Sequence, residues 1–152
     1  MSVADDMKAT AVADSGAGGV YTLLTGGIYT FADTGRLGIG NNKPAAAFDT
    51  TTRKLKPCGV VKARPQVADG QIADDVTQDV SYRQVVEWWL YADGDAGYGT
   101  LETVAARLFV LFHGKVASGR ISRWLYTMEQ SREDALQEAA MLRVDFETLG
   151  VL

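Results

Sequence analysis

The chain holds little of the chemistry from which enzymes are built. Among its 152 residues there is one cysteine, Cys58, and one histidine, His113. A lone cysteine excludes an intramolecular disulfide framework and any metal site made of several thiolates, and it suits a reducing compartment. The longest strongly apolar run, Leu108 to Phe112, is far too short to cross a bilayer. The opening residues MSVADD are acidic and lack a basic stretch followed by an apolar one, so no signal peptide is read there. No phosphate-cradling signature is present: Gly16-Ala17-Gly18-Gly19 follows a helical pattern instead of a strand and brings no Lys-Ser/Thr. No internal repeat is visible.

What is present suffices for one domain spanning residues 1–152. Apolar residues make up 47% of the chain, enough for a core of ordinary size. The net charge of −4 argues against nucleic-acid binding through overall charge. The charges are segregated, however. Residues 50–64 carry Arg53, Lys54, Lys56, Lys62 and Arg64 with no acid; residues 69–79 carry Asp69, Asp74, Asp75 and Asp79 with no base.

Ser2 is placed to cap a first helix, with Asp5 and Asp6 at the positive end of its dipole and Val3, Met7 and Ala11 at helical spacing. The glycines around Ser15 end it, Val20 to Leu24 allow one more turn, and Ile28 to Phe31 have strand composition. Residues 32–56 are rich in Gly, Asn and Thr and read as a long loop; such loops are functional or are ordered by a partner. Pro57 to Arg64 reads as a strand and the acidic stretch as a loop or hairpin tip. In Val80 to Tyr91 both alternating faces carry large apolar groups, and Trp88-Trp89 must point to opposite sides. The strand therefore separates two cores, or a core and an interface. Thr100 is the expected N-cap of a helix carrying Leu101, Val104, Ala105, Leu108, Leu111 and Phe112 inward and ending at His113-Gly114. A strand from Ile121 to Met128 and a last, cleanly alternating strand follow. In the latter Leu142, Val144 and Phe146 are expected inside, and Arg143, Asp145 and Glu147 in water. The expected fold is α+β: a mostly antiparallel sheet of about four to five strands, two main helices on one face, and long loops at 32–56 and 65–79.

The candidates for chemistry read more simply as structure. His113 ends a helix, where a His is electrostatically at home, and has no acid or nucleophile beside it in sequence. Lys56 and Lys62 flank Cys58, but without a dedicated base it reads as a small buried apolar residue. The Asp69–Asp79 cluster and Asp93-Gly94-Asp95 lack the spacing of a calcium loop and read as solvated turns. No catalytic, cofactor or metal residue is assigned. The residues expected to meet other chains are Arg53, Lys54, Lys56, Asp74, Asp75 and Trp89.

Several segments together resemble the tail-terminator, or tail-completion, proteins of long-tailed bacteriophages. These are Val20-Tyr21-Thr22-Leu23-Leu24-Thr25-Gly26-Gly27-Ile28-Tyr29, the strand Val85-Val86-Glu87-Trp88-Trp89-Leu90-Tyr91-Ala92, the helix from Leu101 to His113, Arg123-Trp124-Leu125, and Met141-Leu142-Arg143-Val144-Asp145-Phe146-Glu147. The resemblance implies a small virion subunit, not an enzyme, that closes into a homohexameric ring. The ring would cap the tail tube, meet a head-side neck or connector protein, and let DNA pass as cargo. It implies assembly in the host cytoplasm, no membrane, no cofactor and no active site. The alternatives are another connector, neck or tail-tube protein, or a small enzyme or ligand-binding domain using Cys58 or the Asp loops.

Overall fold

The computed structural model describes residues 2–34, 45–71, 80–117, 120–130 and 139–151. Helix α1 spans Val3–Ala13, capped as its sequence suggests. The Ser2 hydroxyl accepts the Asp5 N–H (3.2 Å) while the Asp5 carboxylate accepts from the Ser2 hydroxyl (2.6 Å) and N–H. Two single turns follow, α2 (Val20–Leu23) and α3 (Phe31–Thr34), with β1 (Ile28–Thr30) between them. Gly27 enters β1 at φ +101°; a Cβ there would lie 2.5 Å from the Tyr29 hydroxyl, so only glycine fits.

Among the described residues the sheet has seven strands, five longer and two short edge pieces. The long ones are β2 (Cys58–Ala63), β3 (Val67–Gln71), β4 (Val80–Asp93), β6 (Arg120–Gln130) and β7 (Ala139–Val151); β1 and β5 (Val116–Ala117) are short. The order is β1-β2-β4-β7-β6-β5, with β3 beside β4 on the same side as β2. Every pair is antiparallel except β1–β2. The fold is thus the α+β class that the patterning indicates. Part of the expected 65–79 loop is strand: β3 continues the line of β2 along β4. Within the expected 32–56 loop lie α3, a single 3₁₀ turn at Ala45–Ala47, and a bridge between Phe48 and Leu55.

Helix α4 (Gly99–Phe112) starts ahead of its expected cap. Tyr98 is the capping position and makes no side-chain cap bond; Thr100 lies inside the helix. Its buried stripe, Leu101, Val104, Ala105, Leu108 and Phe112, is the expected one except that Leu111 is only half-buried at its margin. It packs with α1 and α2 on Val86, Trp88 and Leu90 of β4 and Leu142, Val144 and Phe146 of β7. Phe112 makes the aromatic centre, 5.8 Å from Trp88 and edge-on to Phe146 at 5.6 Å. Asp14 ties the helices together. Its carboxylate takes both the Nε (2.8 Å) and Nη2 (2.7 Å) of Arg107 and the N–H of Val20 (2.8 Å). Those bonds, the Arg107 one foremost, hold its carboxyl below the ordinary carboxylate range. Among the described residues no helix is long and apolar enough to cross a membrane.

A second, smaller core lies on the other face. Ala47 and Leu55 cover Cys58, Val60, Tyr91, Ala139 and Met141, with Tyr29, Phe48 and Trp89 at its margin. Trp88 and Trp89 therefore do serve two separate packing layers. Cys58 is buried among apolar neighbours, as its sequence context suggests.

Candidate interaction surface

The face away from the helices changes character along the sheet. Strand register places Tyr91 beside Met141, Trp89 beside Arg143, Glu87 beside Asp145, and Val85 beside Glu147. The first pair belongs to the small core. The next three rows form a charge ladder. Arg143, Asp145 and Glu147 are only 9%, 1% and 8% exposed, so the expectation that they face water is wrong. Alternation correctly assigned them to the face opposite Val144, but that face is not wet here.

Two carboxylates directly across a strand pair repel, and Glu87 and Asp145 are so placed. Arg143 resolves the conflict. Its Nε and Nη2 fork onto the two oxygens of Asp145 (2.8 and 2.7 Å), and the same Nη2 reaches Glu87 Oε1 at 3.0 Å. Arg64 donates to Glu87 from the other side, through Nε (2.8 Å) and, more closely, Nη2. Trp89 completes the cluster: its ring lies 5.3 Å from the Arg143 guanidinium carbon and its Nε1 donates to Glu87 Oε2 (3.3 Å). Farther along, Glu147 takes Arg123 Nη2 at 3.0 Å and has Arg83 Nε at 4.0 Å.

Four arginines (64, 83, 123 and 143) thus meet three acids (87, 145 and 147), one positive charge in excess. The acids are the buried members. Arg64, Arg83 and Arg123 keep about half of their side-chain surface in solvent. What this face presents is guanidinium over concealed carboxylate. A shallow cleft of about 430 Å³ opens among Arg64, Pro65, Val67, Arg83, Val85 and Glu147. Planar guanidinium forks of this kind suit carboxylate groups of a protein neighbour.

The residues singled out from sequence are dispersed. Arg53 sits at φ 58° in the turn between Phe48 and Leu55, exposed. That turn is built on Asp49, whose carboxylate accepts the N–H groups of Thr52 (2.9 Å) and Thr51 (2.8 Å) and is held below its ordinary range by them. Lys54 is exposed and bonds Asp95 of the same chain at 3.3 Å. Lys56 is half-buried, with its N–H on Ala47 O (2.8 Å). Trp89 is half-buried within the arginine cluster. Asp74 and Asp75 lie outside the described residues. His113 caps α4 and stacks on Phe109 at 4.6 Å. Sequence reading missed Glu87, Arg64, Arg83 and Arg123 as a group. Only alternation could have found them, by putting Glu87 opposite Trp88, but the pairing of β4 with β7 is not written in either strand alone.

No family model matches this sequence, and no curated protein matches it. Among solved structures, the chain is similar to one described as "Virion of native gene transfer agent (GTA) particle". The TM-score is 0.52 at 16% identity, covering 99% of this chain and 98% of that one. At that identity the likeness is one of fold.

Proposed function

We propose that this chain is a structural subunit of a phage-like virion, and within it a tail terminator: a ring at the head–tail joint that caps the tail tube. The observation that carries the proposal is the end-to-end extent of the fold match to a chain of a gene transfer agent virion. It joins the resemblance of several of the chain's segments to tail terminators. The mechanism is geometric. A cap that occupies the open end of a growing tube stops further addition and offers its other surface to a neck protein.

Ring formation needs a heterologous contact, one surface meeting a different surface on the next copy. The segregated charges of residues 50–64 and 69–79 are a further source of complementarity toward a neighbouring copy, the tube or the neck. The Arg53–Lys54 turn lies at the Cys58 end of β2, beside the Asp93 end of β4. Gln71 and Val80, which bound the segment carrying Asp74 and Asp75, lie at the opposite end of β4, about 40 Å away at the usual rise per residue. Arg53, Lys54, Lys56, Asp74, Asp75 and Trp89 are accordingly proposed as contacts to a neighbouring copy, the tube or the neck. Such charges orient partners and speed their encounter more than they add affinity.

The test is location. Particles from a producing host, decorated with antibody against this chain, should carry label at one level, between head and tail. Cells lacking the chain should make tubes past normal length and few joined particles. Label along the whole tail would make it a tube protein, label on the head side of the joint a connector, and absence from the particle would end the virion reading.

A further inference from the structure

We infer that the ring closes by strand addition: the outer edge of β6 pairs antiparallel with the β3 edge of the next copy. This deepens the ring reading above and rests on it. At one margin of the sheet, β5 covers only the start of β6. Val116 and Ala117 pair with Ile121 and Arg120, and Ser122 exchanges bonds with Lys115 O (2.8 Å) and the Gly114 N–H (2.7 Å). From Arg123 to Gln130 the outer edge of β6 has no neighbour among the described residues. At the other margin β3 pairs only with β4, so the outer edge of Val67–Gln71 is likewise unpartnered among them. An open edge is a row of hydrogen-bonding groups in want of a strand.

Direction selects the occupant. β4 is antiparallel to β3 and to β7, and β7 is antiparallel to β6. Hence β6 runs with β4, and β3 runs against both. Copies related by a rotation about an axis along the strands keep these directions. The β6 of one copy then meets the β3 of the next antiparallel, which is the more stable arrangement. The two margins of one chain therefore supply both halves of a joint that can repeat until it closes.

Side chains mark the same margin independently. Val116 is 70% exposed and Ile121 on β6 more than half exposed. Phe109 and Val110 stand exposed on α4, which packs against β6. On the opposite margin Val67 of β3 is exposed. Apolar groups flanking an open strand edge seal a joint from water.

Proline separates the edge from the fold. The Ser122 backbone points outward. The register then slips between Trp124 and Tyr126, and alternation beyond that bulge sends the N–H groups of Thr127 and Glu129 outward and that of Met128 to β7. Proline at an outward position blocks an added strand while keeping the internal ladder. Purified full chain should run as a ring by light scattering. Thr127→Pro and, separately, Ile121→Lys should fall to the mass of one copy while circular dichroism and Tm stay near wild type. Glu129→Pro replaces Thr127→Pro if the latter fails to fold. The inference is overturned if the folded variants keep wild-type mass, if the wild type is a single copy up to its solubility limit, or if it stops at two copies. None of these outcomes bears on the labelling experiment, so edge pairing and the virion reading can fail separately.

Discussion

Arg143→Met tests whether the charge ladder is structural. The substitution keeps an unbranched apolar stem against Trp89 and removes the guanidinium that holds Asp145 through two bonds and Glu87 through a third. Glu87 retains Arg64. Asp145, 1% exposed, loses both of those bonds and the charge that balances it. At an effective dielectric of about 20, unit charges about 4 Å apart attract by about 4 kcal/mol. Breaking a buried pair by deleting one member costs about 3–5 kcal/mol in measured cases. The two figures agree, so we expect a loss of about 3–5 kcal/mol. For a chain of this size that lowers Tm by about 6–20 °C. The assay is urea unfolding followed by tryptophan fluorescence and far-UV circular dichroism, with coincident curves and an unchanged slope as conditions for comparison. Arg143→Met with Asp145→Asn removes charge and countercharge together, and should recover more than half of the loss. The reasoning is refuted if the single variant costs less than about 1 kcal/mol, which is what a solvated surface pair would give.

Other outcomes follow from single contacts. Val144→Asp puts an unpaired charge in the main core, where Val144 is fully buried, and should leave little folded protein by circular dichroism. Asp14 has a lowered carboxyl pKa, so its stabilisation is full above the ordinary carboxylate range, about pH 4, and is lost as pH falls through the lowered value. Asp14→Asn should therefore lower Tm at pH 7 and flatten the acid limb of the stability curve; an acid limb identical to wild type would count against it. Gly27→Ala should cost about 1–3 kcal/mol, read by urea midpoint, because of the positive φ and the nearby Tyr29 hydroxyl. Leu55→Ala should cost about 2–5 kcal/mol by opening the small core above Cys58 and Tyr91. A negligible coupling energy between Leu55→Ala and Met141→Ala would show that the two do not share that core.

Periodicity carried most of the fold. The alternation of Leu142, Val144 and Phe146 and the helical spacing from Leu101 to Phe112 each have one explanation, and the structure uses it. What periodicity reports is side, not solvent. Arg143, Asp145 and Glu147 share a side, and whether that side is wet depends on Glu87, Arg64, Arg83 and Arg123, which come from other strands. Alternation at Trp88-Trp89 allowed for a second core, but the same limit hid what covers it. Leu55 and Ala47 sit in a stretch of loop composition, yet they cover Cys58 and Val60. Thr100 misled as a cap because its hydroxyl chemistry fits the role, while the chain enters the helix earlier, at Gly99. Arg53 and Lys54 were legible as charge, but the Lys54–Asp95 pair is a long-range contact that local sequence does not announce.

The position of β7 has a consequence for how the molecule comes into being. This strand follows all six others in chain order, yet it lies between β4 and β6 and completes both. During synthesis, β4 and β6 can each be made but cannot be joined until residues 139–151 have left the ribosome. Folding must then close pairings as distant in sequence as Ser81 with Val151, which is slow by topology alone. Until that moment the growing polypeptide displays additional bare strand margins, the very features that invite wrong association. In the proposed ring, a nascent copy would thereby be kept from presenting a finished β6 to a neighbour until β7 is in place.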